Sequence, residues 1–195
     1  MNLSILAPSL LIRSFAAVML LSLAGNTSAA PLNVDQSASE VGVTFTQMSV
    51  AVDAQFTRFE VQADFDPANP ADASATIIID TASFDFGPGA EEYNAEVRKP
   101  EWFDTEKFPQ ARFDARGARP DGDKQFLVEG TLTIKGVQQA VSAPVTFAEA
   151  DGQWVFSGTL PIKRLDYGLG ATEWKDTSIV ADQVTVRFSI VASKP

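Results

Sequence analysis

The sequence contains no cysteine and no histidine. Their absence excludes a disulfide framework, a cysteine nucleophile, a Ser–His–Asp triad and any zinc site built from cysteine or histidine. Basic side chains are also scarce, because 15 Lys and Arg stand against 25 Asp and Glu, which gives a formal net charge of −10. Phosphate backbones require clustered cations, so this balance argues against a nucleic-acid partner. No pair of carboxylates stands out as a general acid and base, and we predict no enzyme, no metal and no cofactor.

The N-terminal 29 residues have the pattern of a signal peptide. Arg13 is the only basic side chain among them, the apolar run Phe15–Leu23 follows it, and small residues lead to Ala29. The apolar run is much shorter than the ~20 residues of a membrane-spanning helix. We therefore predict cleavage after Ala29, a mature domain over 30–195 and a periplasmic location.

Apolar and polar side chains alternate through most of the mature region, as in strands with one buried face. The clearest rows are Phe59–Phe65, Phe126–Ile134, Val141–Phe147, Trp154–Ile162 and Val184–Ile190. Weaker rows bring the total to about eight strands. Phe56 is out of phase with Phe59, which predicts a bulge near Thr57–Arg58.

A single stretch of the mature region looks helical. Residues 90–97 carry acidic side chains in the first turn and are followed by Arg98-Lys99, an order that matches the helix dipole. Pro100 then ends the helix.

Long strands joined by short turns predict an all-β fold, a single closed antiparallel barrel of eight strands. A barrel of this size has an interior that side chains fill or that holds one small ligand. The inner rows include small residues such as Gly130 and Gly158. These residues fit both a tightly packed core and an apolar tunnel, and the alternation leaves both interpretations open.

Several motifs occur in an order that is typical of one known family. They are Val41-Gly42-Val43-Thr44-Phe45, Phe56-Thr57-Arg58-Phe59, Pro100-Glu101-Trp102-Phe103-Asp104, Lys107–Phe113, Gly130–Val137 and Arg164-Leu165-Asp166-Tyr167-Gly168. From Asp35 to about Ile190 the chain resembles the YceI-like family of exported polyisoprenoid-binding proteins. The resemblance implies a lipocalin-like barrel of eight strands that holds a long isoprenoid chain, without catalytic activity. It also implies histidines at two positions that are Ala38 and Gln47 here.

The inner rows and the resemblance together predict the ligand-binding residues. The tunnel wall, with an aromatic lid over residues 102–108, comprises Phe45, Phe59, Val61, Ile77, Trp102, Phe103, Phe108, Phe113, Phe126, Leu132, Phe147, Phe156, Gly158, Leu160 and Phe188. The candidate contacts to a polar head group are Arg164, Arg98 and Lys99. Arg164 shares the inward parity of Ile162, so we expect it either to pair with Asp166 or to contact the head group.

These features predict a periplasmic protein that binds an isoprenoid lipid, a polyprenyl phosphate or a prenylated quinone, and sequesters or carries it. A homodimer and a transient membrane contact for lipid exchange are compatible with this function. One alternative is a small outer-membrane β-barrel, but such barrels carry aromatic girdles, whereas this sequence has 3 Trp and 2 Tyr. A second, weaker alternative is a carboxylate-dependent enzyme that modifies a lipid.

Overall fold

A computed structural model describes residues 31–194, so the predicted signal peptide lies outside the described residues. The elements are β1 (Asn33–Gln47), β2 (Val50–Phe56), β3 (Phe59–Asp64), β4 (Ser74–Asp80), β5 (Phe84–Asp85), α1 (Glu91–Glu96), β6 (Gln110–Pro120), β7 (Gln125–Ile134), β8 (Val137–Ala150), β9 (Gln153–Lys163) and β10 (Val180–Ser193). Short 3-10 turns lie at Pro70–Asp72, Thr81–Ser83 and Arg164–Tyr167.

All ten strands form one sheet in the order β3-β4-β6-β7-β8-β9-β10-β1-β2-β5. Every pair of neighbouring strands is antiparallel. The sheet curls until the start of β1 reaches β3, where Pro31 lies opposite Asp64 and the Leu32 amide donates to the Ala63 carbonyl over 2.8 Å. Over residues 31–194, the predicted all-β fold with one short helix is therefore confirmed, and the shape of the sheet is barrel-like.

The predicted number of eight strands was wrong, because two long strands are interrupted. Thr57–Arg58 separates β2 from β3 at the position of the predicted bulge, and the turn Thr81–Ser83 separates β4 from β5. The two interruptions lie side by side. The Thr57 amide donates to the Ser83 carbonyl over 3.1 Å, and the Arg58 amide donates to the Ser83 hydroxyl over 3.1 Å. Each break thus supplies hydrogen-bond partners for the other.

Two-residue turns connect several of the strands, and the backbone angles explain their sequences. In the β8–β9 turn Asp151 and Gly152 have φ values of 50° and 80°, and in the β7–β8 turn Lys135 and Gly136 have values of 50° and 77°. Type I′ turns need a positive φ at both positions, and glycine adopts it without steric cost. The same geometry holds at Met48 and Ser49 between β1 and β2.

The helix α1 begins with Glu91 and Glu92 and covers six residues of the predicted helical stretch. The connection from α1 to β6, residues 97–109, contains no strand and includes the predicted aromatic lid. Within residues 31–194, no helix combines the length and the apolar character that crossing a membrane requires.

One end of the barrel-like sheet is closed by an aromatic cluster that we call the aromatic floor. It consists of Phe65, Phe126, Phe147, Trp154 and Phe156, which lie directly after β3, at the start of β7, near the end of β8 and at the start of β9. The Phe65 ring centroid lies 5.5, 5.4, 5.9 and 5.1 Å from those of the other four, in that order. Edge-to-face contacts between aromatic rings stabilise such clusters beyond the burial of their area.

Candidate functional site

The inner face of the curled sheet surrounds an apolar cavity of about 570 Å³. This volume lies within the usual range for small-molecule sites. Eleven of the predicted wall and lid residues line it, namely Phe45, Val61, Ile77, Trp102, Phe103, Phe113, Phe126, Leu132, Phe156, Leu160 and Phe188. The cavity decides between the two interpretations of the inner rows, because the rows do not pack the interior completely.

Four predicted wall residues do not line the cavity. Phe59 packs half-buried beside it, and Phe147 lies behind Phe156 in the aromatic floor. Phe108 covers the β7–β8 turn, with the Lys107 ammonium 5.1 Å from its ring centroid. Gly158 faces the interior, but the ring of Phe188 covers it. Phe59, Phe147 and Gly158 were placed by parity, which gives the side of the sheet on which a residue lies but not what lies above it. Phe108 lies in the connection from α1 to β6, where parity does not apply.

Gly158 occupies a position where a neighbouring ring needs the space. A Cβ atom there would lie 2.7 Å from Cζ of Phe188 and 2.3 Å from the Pro144 carbonyl oxygen. Gly130 has the same relation to Phe113, whose Cε2 would lie 2.6 Å from a Cβ. The glycines therefore let the rings of Phe113 and Phe188 lie against the sheet, and it is these rings that form the wall.

The lid residues Trp102 and Phe103 cover the other end of the cavity. Phe103 packs against Phe56 and Phe84, with ring centroids 5.9 and 5.5 Å apart. Trp102 lies 6.1 Å from the ring of Trp174, in the connection between β9 and β10. The lid thus joins two connections that are remote from each other in the sequence.

Arg164 is buried, with an exposed fraction of 2%. Its guanidinium donates five hydrogen bonds, all to main-chain carbonyls: Nε to Ala181, Nη1 to Leu169 and Gly170, and Nη2 to Trp174 and Val180, over 2.6–3.1 Å. The expected pairing with Asp166 is therefore wrong, because the carbonyls of the β9–β10 connection satisfy the guanidinium instead. A guanidinium has five N–H groups, so none is left for a head group.

The environment of Arg164 agrees with this arrangement. Burial lowers the pKa of the Arg164 guanidinium, and the negative charges of Asp182 and Glu101 oppose that effect. Its Cζ also lies 5.7 Å from the ring centroid of Trp102, within the range of a cation–π contact. Arg164 thus holds the β9–β10 connection in place beneath the lid.

Two further charged side chains bind the same loops together. The Glu101 carboxylate accepts hydrogen bonds from the Thr172 amide and the Glu173 amide, each over 2.9 Å, and from the Thr172 hydroxyl. The Lys135 ammonium donates to the carbonyls of Pro100, Glu101 and Gly168 over 2.6–3.3 Å. We call Glu101, Lys135 and Arg164, with the groups they bind, the loop latch.

The two other candidate head-group cations, Arg98 and Lys99, do not line the cavity. The Lys99 ammonium forms an exposed ion pair with Glu96 over 2.5 Å. Hydrogen bonds from Gly87 and Asn94 lower the pKa of Asp85, and the charge of Arg98 adds to that effect. Acidic neighbours therefore accompany both cations.

Sequence reasoning missed a second group of cavity residues. Phe84, Phe86, Tyr93 and Trp174 line the cavity from short or irregular segments. Period-two alternation carries no information about such segments, although the aromatic character of these residues was a usable signal. Val43 and Val186 also line the cavity, and their alternation did place them on the inner rows.

Among residues 31–194, no cluster of three or more acidic side chains could hold a metal ion. Gln47, where the resemblance implies a histidine, lines the cavity, as do Phe45, Phe86 and Tyr93. The Phe86 ring centroid lies 6.2 Å from that of Phe45 and 6.1 Å from that of the exposed Tyr93, so we call these four residues the mouth of the cavity. An amide at this position can donate and accept hydrogen bonds but cannot carry a charge at neutral pH.

The model of the YceI-like domain matches residues 32–192, which is most of the chain. The chain belongs to the YceI-like family. The protein YceI of Escherichia coli is 29% identical over 150 residues, which are 75% of this chain and 76% of that protein. This family membership confirms the resemblance that the motifs indicate.

Two solved structures show how far the YceI-like fold is shared. BcnA of Burkholderia cenocepacia is 43% identical, and the match covers 83% of this chain and 100% of that chain with a TM-score of 0.79. A polyisoprenoid binding domain from Saccharophagus degradans is 18% identical, and its match covers 86% of this chain and 99% of that domain with a TM-score of 0.66. The YceI-like fold is therefore retained in a solved structure that is only 18% identical to this chain.

Proposed function

We propose that the mature protein binds a long isoprenoid lipid, such as a polyprenyl phosphate or a prenylated quinone, and sequesters or carries it in the periplasm. The observation that carries this proposal is the apolar cavity of about 570 Å³, which runs from the aromatic floor to the lid. Such an interior suits a flexible hydrocarbon chain, which needs little polar recognition. The polyisoprenoid-binding neighbour with the same fold supports the proposal.

Burial of a hydrocarbon chain supplies enough free energy for this function. Each buried methylene contributes roughly 0.8 kcal/mol, so ten methylenes supply about 8 kcal/mol before the costs of ordering. A net free energy of about 8 kcal/mol corresponds to a dissociation constant near the micromolar range, so a chain of more than ten methylenes, which offsets the costs of ordering, reaches that range. The head group therefore contributes selectivity more than affinity.

The predicted signal peptide supports a periplasmic location, and exposed apolar residues near the mouth support lipid exchange with a membrane. Met48 and Val50, at the β1–β2 turn, have exposed fractions of 66% and 65%. They follow Phe45 and Gln47, which line the mouth. Release of the protein by osmotic shock, without detergent, tests the location. The homodimer stays a prediction.

A cavity-blocking variant tests the binding itself. Ala63 on β3 lines the cavity, whereas its neighbour Gln62 is exposed on the outer face. Ala63→Phe places a ring in the space that a lipid needs, and Gln62→Phe is the matched control. We expect native mass spectrometry to show bound lipid in the unmodified protein and the control but not in Ala63→Phe. Lipid-free protein after incubation with prenylated quinones and phosphates would contradict the proposal.

A further inference from the structure

The charged side chains that line the cavity are mainly acidic. Asp64, Glu92 and Glu96 are the carboxylates of the lining, and Arg164 is its one cation within residues 31–194. Asp64 lies at the end of β3, where its carboxylate accepts a hydrogen bond from the Ser74 hydroxyl over 3.0 Å. Glu92 and Glu96 belong to α1 at the opposite end, beside the Phe86 and Tyr93 rings that form the mouth.

Arg164, the single cation of the lining within residues 31–194, has no free N–H group for a ligand. All five N–H groups of Arg164 donate to main-chain carbonyls. A phosphate gains most from charge-assisted hydrogen bonds to guanidinium or ammonium groups. A phosphate at Arg164 would therefore have to break part of the loop latch.

The charges around the mouth do not supply the cation that a phosphate would need in place of Arg164. Neither cation beside the mouth lines the cavity. The charge of Arg98 acts on the Asp85 carboxylate, and the Lys99 ammonium pairs with Glu96, so those two charges largely cancel. Glu92 has no ion pair among the described residues, and its side chain is exposed at the mouth. The net charge of −10 for the whole chain adds a repulsive field for anions.

We propose that the cavity prefers an amphiphile whose polar end is cationic or uncharged, and that Glu92 disfavours a phosphate at the mouth. The inference rests on the proposed function, because it concerns the polar end of the lipid whose hydrocarbon chain fills the cavity. It selects between the two proposed lipid types. The head group of a prenylated quinone is uncharged and is accepted at the acidic mouth, whereas the anionic head group of a polyprenyl phosphate is disfavoured there. A prenyl amine would satisfy it best, because its ammonium attracts the Glu92 carboxylate.

Three probes with the same hydrocarbon chain separate the contribution of the head group. Farnesyl amine, farnesol and farnesyl monophosphate are titrated separately into the lipid-free mature protein, at low salt and at physiological salt. A unit charge about 6 Å from another in water-like surroundings changes a binding constant about threefold. We expect affinity to decrease from the amine to the alcohol to the phosphate, with smaller differences at higher salt.

Two adjacent glutamates provide the variant and its matched control. Glu92→Gln removes the charge at the mouth, whereas Glu91→Gln removes an exposed charge that does not line the cavity. We expect Glu92→Gln to narrow the ratio between amine and phosphate affinities by about threefold or more, and Glu91→Gln to change it much less.

The possible results separate this inference from the proposed function. Phosphate binding as tight as that of the amine, or a ratio that Glu92→Gln leaves unchanged, would overturn the inference alone. Failure of all three probes to bind would overturn the proposed function, and the inference with it.

Discussion

The two ends of the barrel-like sheet are closed by different kinds of contact. The aromatic floor is a cluster of rings from β7, β8, β9 and the residue after β3, and apolar packing alone holds it together. The loop latch at the other end holds irregular connections through a few charged side chains and main-chain carbonyls. Apolar packing tolerates small displacements, whereas each hydrogen bond of the latch needs its exact partner. The floor end therefore depends on the area that its rings bury, whereas the latch end depends on a few individual hydrogen bonds.

Loss of a central floor residue should have the largest effect on stability. Phe65→Ala removes the ring that contacts all other members of the aromatic floor. We expect the free energy of unfolding to fall by about 3–5 kcal/mol, because the cavity left behind adds to the lost burial. Urea denaturation followed by circular dichroism measures it, with the exposed Tyr93→Ala as control. A loss below that of the control would show that the floor is not a packed unit.

The latch should depend on Arg164 almost as strongly. Arg164→Met leaves several carbonyls without donors, and we expect a loss of about 3 kcal/mol in the free energy of unfolding. Arg164→Lys should restore only part of it, since an ammonium cannot reach five acceptors. The control Asp166→Asn should have little effect, because Asp166 does not contact the guanidinium. Recovery of stability in the double variant would instead revive the ion pair between the two residues.

Glu101 offers a smaller and pH-dependent test of the latch. Burial raises the pKa of Glu101, but the hydrogen bonds from Thr172 and Glu173 outweigh it, so the pKa lies below its ordinary value of 4.5. Its contribution to stability is therefore complete above that value and is lost as the pH falls through the lower pKa of the folded state. At pH 7 we expect Glu101→Gln to cost roughly 1 kcal/mol, since the carboxylate is partly exposed.

Tryptophan fluorescence measures this acid response, because Trp102 and Trp174 lie within the latch. As the pH falls below 5, the unmodified protein should lose more stability than Glu101→Gln does. This loss should begin near pH 4.5, the ordinary pKa of a glutamate side chain. Parallel acid curves for the two proteins would show that Glu101 does not hold the connection.

The titration of Tyr167 should have the smallest effect on stability at neutral pH. Tyr167 is buried in the turn that carries Arg164. Burial, with a smaller contribution from the charge of Asp166, raises the pKa of Tyr167 from 10.0 to about 12. The folded state thus keeps this proton after the unfolded chain has lost it, so stability should decrease between pH 10 and pH 12. Tyr93→Phe leaves Tyr167 as the remaining one of 2 tyrosines, and its absorbance then reports the titration directly. A midpoint near 10 would contradict the burial of Tyr167.

The sequence predicted most of the strands and turns but less of the site. Alternation placed Val61, Leu132 and Leu160 on the inner face because side chains on a strand point to opposite sides in turn. The same rule pointed Arg164 inward, where it is buried, but could not name its partners. Those partners are carbonyls of a connection without periodicity, and side-chain patterns do not encode where such carbonyls lie.

The all-β class, the helical stretch within residues 90–97 and the absence of cysteine or histidine chemistry follow from composition and periodicity alone. These properties depend on local spacing and on which functional groups the chain contains. Three other properties could be recognised only in the folded structure. The interior contains a cavity, the rings of Phe113 and Phe188 cover Gly130 and Gly158, and Arg164 holds loops instead of a head group. Each of these properties depends on contacts between segments that are distant in the sequence, and such contacts form only when the sheet curls.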